Sequence, residues 1–229
     1  MDFSGKHVVV TGGTGALGTA VVGGLRDLGA TCIVPYVHED EARRSPHYRK
    51  SKVLMVPVTD LADEAMVARI YDNLRLWASI HIAGGFAMGK VAETDKAALM
   101  AQLDSNLVSC FLCSCAAVNA MQDGGRIVNV AARPALEWRL GAGMAAYTVA
   151  KTGVAALTVA LAEEVAKHGI LVNAVAPSIM DTPANRAAIP DADFSAWPKV
   201  EEVAATILFL ASPDNKVTRG AIVPVYGRA

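Results

Sequence analysis

His7-Val8-Val9-Val10-Thr11-Gly12-Gly13-Thr14-Gly15-Ala16-Leu17-Gly18 is the stretch whose reading decides the fold. A β-branched run ends in glycines, and Leu17, Val21, Leu25 and Leu28 then follow at spacings of three and four until Gly29. Such spacing predicts a helix, so the glycines fall in a turn between a strand and a helix N-terminus. Glycines in that turn permit a tight bend, let a pyrophosphate approach the backbone, and leave helix N–H groups aimed at it. A Gly-rich string alone is weak. Its place between strand and helix favours dinucleotide binding over a flexible loop.

Working outward, strand-like and helix-like segments alternate to the end of the chain. Strands are expected at 7–10, 31–34, 52–58, 79–83, 126–130, 170–176 and 220–226. Between them, Asp60 is expected to cap a helix reaching about Leu76, and long helices are expected at about 96–121 and 145–167. A last helix covers 201–211. The pattern predicts an α/β fold, a Rossmann-type doubly wound parallel sheet of about seven strands with helices on both faces. Residues 1–229 read as one domain without repeat or linker. The segment 178–198 is Pro-rich and aperiodic, follows the carboxyl end of a strand, and is expected to be a substrate lid.

Composition excludes several functions. With 21 basic against 22 acidic residues, the chain lacks the positive footprint of a nucleic-acid binder. The basic stretch from Arg43 to Lys52 is broken by Pro46 and reads as a solvated face. No apolar run is read as a membrane span, and the N-terminus lacks the layout of a signal peptide, so a cytoplasmic protein is expected. Cys32, Cys110, Cys113 and Cys115 read as small hydrophobes, and no metal site is expected. His7, His47 and His168 are expected to be solvated, whereas His81, at a strand end, reads as a structural or a catalytic histidine.

Tyr147-Thr148-Val149-Ala150-Lys151 places a phenol and an ammonium on one helical face. At ~4 Å and an effective dielectric near 20, their attraction is about 4 kcal/mol, enough to lower the phenol pKa by up to roughly three units. Such a tyrosine can supply a proton to a substrate. Taken alone, such a pair on a helix is usually surface decoration.

The order Thr-Gly-x-x-x-x-x-Gly, then Ala83-Gly84-Gly85, Asn106, Tyr147-x-x-x-Lys151 and Val172-Asn173-Ala174-Val175-Ala176-Pro177 with Thr182 beyond resembles the short-chain dehydrogenase/reductase family over essentially the whole chain. The resemblance implies an NAD(P)(H)-dependent oxidoreductase acting on a small molecule. It implies cofactor contacts from Gly12, Thr14, Ala16, Leu17, Gly18, Tyr36, Ala83, Gly84, Lys151, Pro177 and Thr182. Tyr147 would be the general acid, Lys151 would bind the nicotinamide ribose and lower the tyrosine pKa, and Asn106 would anchor a proton relay. A homodimer or homotetramer is implied, paired through the two long helices, which are apolar on more than one face.

Departures refine this picture. The family's middle loop glycine is Ala16, and its Asn-Asn-Ala-Gly reads His81-Ile82-Ala83-Gly84. Its substrate-orienting serine falls at about Ala132, and no Ser or Thr occurs between Ala131 and Ala146. One lost donor at a carbonyl site can cost ~10²-fold in rate. The lid sequence Asp181-Thr182-Pro183-Ala184-Asn185-Arg186 and Pro190-Asp191-Ala192-Asp193-Phe194-Ser195-Ala196-Trp197, with Gly143-Met144 before Tyr147, is similar to the dihydropteridine reductase branch, which also lacks the serine. Met144, Asp193 and Trp197 are the expected lid contacts. The alternative is a dinucleotide-binding sensor or regulatory subunit with weakened catalysis. At the end of the second strand Tyr36 replaces the acid of NAD-preferring relatives, so the reading leans to NADP, with His38, Arg43 or Arg44 available to its 2′-phosphate.

Overall fold

A computed structural model describes residues 1–229. Seven strands form a single sheet: β1 (His7–Thr11), β2 (Thr31–Tyr36), β3 (Val53–Pro57), β4 (Leu76–His81), β5 (Gly125–Val130), β6 (Ile170–Pro177) and β7 (Ile222–Val225). All pairings are parallel, in the order β3-β2-β1-β4-β5-β6-β7. β5 is buried at every position, as a strand covered on both faces must be. The order reverses between β1 and β4, which opens a crevice beyond their carboxyl ends.

Two helical layers cover the sheet. On one face α1 (Ala16–Asp27) packs with a C-terminal helix (Val200–Ala211) over Val8, Val10, Cys32, Val34, Ile80 and Val128. The other face, with Val9, Ile33, Ile127 and Val172, is covered by helices further along the chain. These are α3 (Glu64–Tyr71), α5 (Ser109–Ala120) and α6 (Ala145–Glu164); α4 (Lys96–Leu103) packs outside them on α6, and α2 is a short helix at Glu39–Arg44.

Several elements differ from expectation. α3 is capped by Asp63, whose carboxylate accepts from the Ala65 and Met66 amides, and it ends at Tyr71 instead of near Leu76. Asp60 caps only a local turn. The stretch read as a solvated basic face begins inside α2, where Arg43 pairs with Glu39, and His47 beyond it is buried, its Nε2 2.9 Å from the Thr19 carbonyl. The expected helix at 96–121 is interrupted by a π turn at Asp104–Val108. The segments Lys96–Ala120 and Ala145–Glu164 are long and apolar enough to cross a bilayer, contrary to the sequence reading. Here, however, they bury Asn106 and Lys151 in the body of the protein.

A polar seam runs through the layer that holds α3, α5 and α6. Tyr71 Oη lies 2.8 Å from Ser79 Oγ, Ser79 Oγ 2.8 Å from His81 Nε2, and His81 Nδ1 2.8 Å from Asn129 Oδ1. Asn129 Nδ2 donates to Thr158 Oγ1 at 2.9 Å. Burial pushes the His81 pKa down to about 4, opposed weakly by its bond to Asn129. The unfolded chain, with a histidine near pKa 6.5, takes up a proton that the folded one refuses. Stability should therefore fall as pH drops from about 6.5 to about 4, by up to about 3 kcal/mol, and should be unaffected by this group above that window. Urea unfolding at about pH 7 and about pH 4.5 checks this: His81→Asn, which cannot titrate, should show a correspondingly smaller loss.

Candidate active site

The glycine turn shows why its residues are small. Gly12 has φ +67°, and a Cβ there would lie 2.7 Å from the Ala83 amide nitrogen. A Cβ on Gly18 would run into the Gly12 carbonyl, while Ala16 and Gly15 stand exposed at the mouth of the turn. α1 begins after Gly15 with no capping side chain, which leaves its first-turn N–H groups open. Open donors, a helix dipole and a cradle that a side chain would fill suit a dinucleotide pyrophosphate. Thr11 holds the opposite wall: its carbonyl accepts from Ile82 N and its hydroxyl from Ala83 N, both at 3.2 Å.

A cavity of about 210 Å³ opens beyond the sheet between the glycine turn and α6. Leu17, Gly84, Asn106, Ala132, Tyr147, Lys151 and Pro177 all line it, so residues far apart in sequence meet there. Thr14 lines a separate cavity of about 320 Å³ on the outer side of the turn, with Thr19, Glu41, Arg44 and Ser45. Arg44 makes no ion pair; Arg43 is held by Glu39.

Lys151 is buried, and its Nζ donates to the Val130 carbonyl at 2.8 Å. Burial pushes its pKa down to about 8, with the Cys110 thiol acting slightly the other way. Tyr147 lies one turn before it, with Nζ 6.0 Å from the ring centroid. Contrary to the electrostatic expectation, burial pushes the phenol up to about 12. The ammonium is turned toward the Val130 carbonyl, so desolvation of the phenol prevails. Phe86, exposed beside the mouth, sets its edge against the Tyr147 ring at 5.0 Å and 88°.

Asn106 owes its place to the π turn. Its Nδ2 donates to Gly85 O at 2.9 Å and to Gln102 O at 3.0 Å, and its Oδ1 has no partner. That oxygen faces Gly84, where a Cβ would overlap it and would also come within 3.4 Å of Lys151 Nζ. The hydroxyls of Ser105 and Ser109 bond back to carbonyls four residues earlier, at 2.7 and 2.8 Å. Such back-bonding accompanies distorted helix, and this serine pair was the available sequence signal.

Other expected contacts lie elsewhere. Ala132 is buried in the cavity wall, so a methyl stands where a serine hydroxyl was sought. In the segment 178–198, Thr182 caps α7 (Pro183–Ala188) by accepting from Asn185 N, and Ser178 and Met180 line the cavity in its place. Asp193 caps a short turn through Ser195 N, and Trp197 is buried against Phe194 at 5.0 Å; neither lines the cavity. Met144 precedes α6, where Gly89 N donates to Gly143 O at 2.8 Å, clasping the loop after β4 to the loop before α6. Tyr36 ends β2 as expected, but its hydroxyl donates to Glu39 Oε2 at 2.7 Å. A carboxylate is therefore present beside that strand end, supplied by Glu39, three residues beyond Tyr36.

The short chain dehydrogenase family profile matches residues 6–193. Galactitol 2-dehydrogenase of Rhizobium johnstonii is 33% identical over 97% of this chain and 94% of its own. The 3-oxoacyl-[acyl-carrier-protein] reductase FabG of Salmonella typhimurium is 30% identical over 99% and 98%. Among solved structures, a short-chain dehydrogenase/reductase from Serratia marcescens superposes with TM-score 0.90 at 28% identity, each chain fully covered. ElxO with NADP bound gives 0.87 at 26% identity, with 97% of each chain covered. These relatives include no dihydropteridine reductase, so the expected likeness to that branch gains no support from them. Profile, relatives and superposition agree with the crevice and its residues: the chain belongs to the short-chain dehydrogenase/reductase family of NAD(P)-dependent oxidoreductases.

Proposed function

We propose that this chain is an NAD(P)H-dependent reductase of an electron-poor C=O or C=N acceptor, similar in substrate type to dihydropteridine reductases. The observation that carries the reading is Ala132, whose methyl lines the same cavity as Tyr147, while the Ser178 hydroxyl in that lining gives its hydrogen to the Tyr226 carbonyl at 2.9 Å, which leaves the phenol as the hydroxyl donor. The nicotinamide supplies the hydride when bound. Tyr147 gives the proton: with its pKa near 12 it is fully protonated at neutral pH, the form a reductase requires. Lys151 holds the ribose beside it and Asn106 orders the proton path behind it. Met144, Asp193, Trp197 and Thr182 act through closure of the 178–198 lid.

A simple ketone accumulates alkoxide charge in its transition state and draws on every donor present. A quinonoid or iminium-like acceptor is already activated and relies less on a second hydroxyl. Quinonoid dihydropterin should therefore show the higher kcat/KM, and Tyr147→Phe should remove nearly all turnover with nucleotide affinity kept within a few-fold. A simple ketone favoured by about tenfold or more, about 1.4 kcal/mol of transition-state preference, would sink this substrate class. The missing donor also favours a second reading, a nucleotide-binding sensor; tight NADPH binding without turnover on any acceptor would establish it.

The cofactor reading leans to NADP. Glu39 has both oxygens engaged, by Tyr36 and by Arg43, while Arg44 is unpaired beside Thr14 and Gly15. Fluorescence titration should give NADPH about tenfold tighter binding than NADH, and Arg44→Ala should erase the difference. The reverse order would make Glu39 the deciding group.

Homodimers or homotetramers are expected because Phe111, Val149 and Val159 leave the outer faces of α5 and α6 apolar and 46–56% exposed. Light scattering at micromolar concentration should report two or four copies; a monomer would overturn the pairing.

A further inference from the structure

The polar seam behind the site has a direction that can be read from one end. Thr158 donates its hydroxyl hydrogen to the Val154 carbonyl at 2.7 Å, so toward Asn129 it can only accept. The Asn129 amide nitrogen must then face Thr158, and its oxygen faces His81 Nδ1, which must carry hydrogen. Nε2 is left bare and accepts from Ser79, whose oxygen in turn accepts from Tyr71. Every bond runs the same way, and it does so only while His81 is neutral.

We infer that His81, through Asn129, is a positioning residue for Lys151. The inference rests on the proposed role of Lys151 in holding the nucleotide ribose and serving proton transfer. His81 and Asn129 are register partners on β4 and β5, and Asn129 is followed by Val130, whose carbonyl receives Lys151 Nζ. Thr158 stands two helical turns beyond Lys151 on α6. The helix is thus fastened to β5 at two heights, by Lys151 to Val130 and by Thr158 to Asn129, and His81 grips the strand at Asn129.

The groups facing the imidazole leave it uncharged. α3 contributes Tyr71, which reaches it through Ser79; α5 contributes Ser114 at 3.4 Å and the Cys110 thiol at 3.9 Å. α6 contributes Lys151, whose charge acts on the Cys110 thiol. None of these neighbours is a carboxylate. Burial pushes the Tyr71 phenol and the Cys110 thiol up, so neither supplies a negative charge at neutral pH. Without the Nδ1 hydrogen, Asn129 Oδ1 is buried unpaired, which weakens the Asn129–Thr158 fastening and with it the hold of β5 on the α6 segment that carries Lys151.

Three variants test this: His81→Leu, His81→Asn and Thr158→Val. Asparagine puts an N–H where Nδ1 stands, so it keeps the bond to Asn129 and loses only the one to Ser79. In His81→Leu, NADPH affinity should fall about tenfold, kcat should fall more than KM rises, and the alkaline limb of the kcat/KM profile should move by about half a pH unit or more. His81→Asn should restore affinity and limb to within about threefold and a few tenths of a pH unit. Thr158→Val should move the limb in the direction seen for leucine. If leucine and valine variants keep the wild-type affinity and limb and only melt earlier, His81 merely fills the core and the inference is overturned. Should His81→Leu not fold, Thr158→Val decides alone, an unmoved limb and unchanged affinity overturning it. Absence of turnover in the wild type would instead defeat the functional reading, and NADPH titration of the same variants would still decide the positioning of Lys151.

Discussion

Where β1 and β4 end side by side, the chain has room for backbone and nothing more: a single Cβ on Gly12 would lie 2.7 Å from the Ala83 nitrogen. This close approach holds the crevice in shape. It lets Thr11 bind both Ile82 N and Ala83 N, which carries the loop after β4 over the sheet edge toward Gly84. Gly84 in turn leaves room for Asn106 Oδ1 and Lys151 Nζ. Three layers of the fold converge through glycines, because no side chain fits between the groups that must meet.

Inside the cavity, two effects of opposite sign compete over Tyr147. A nearby ammonium favours the phenolate; removal of water disfavours it. Desolvation prevails here because Lys151 directs its charge to the Val130 carbonyl and itself loses part of that charge to burial, its pKa standing near 8. The tyrosine consequently keeps its proton at neutral pH. The lysine is the more readily titrated member of the pair.

Much of this could be read from the residues. The strand, glycine turn and helix at 7–28 were legible because a change from a β-branched run to a period near 3.6 is a local signal. Tyr147 and Lys151 were legible as a pair for the same reason. The direction of the tyrosine's pKa was not, since burial comes from Phe86, the sheet ends and the segment after β6, which local spacing does not report. Glu39 escaped notice because α2 is six residues long, too short to show a period. The Asn106 geometry was hidden too, because apolar spacing across 96–121 tolerates one extra residue in a turn without losing its pattern.

That extra residue has an evolutionary consequence. α4 and α5 are regular on either side of the π turn at Asp104–Val108, and Asn106 reaches Gly85 from within the widened turn. Loss of a single codon there would let the two helices join as one uninterrupted α-helix, with the sheet and the glycine turn left as they are. The scaffold and the chemistry are thus separable by an insertion or deletion of unit length, a smaller event than any change of topology. A lineage could lose or regain this arm of the site while its nucleotide cradle persisted unchanged.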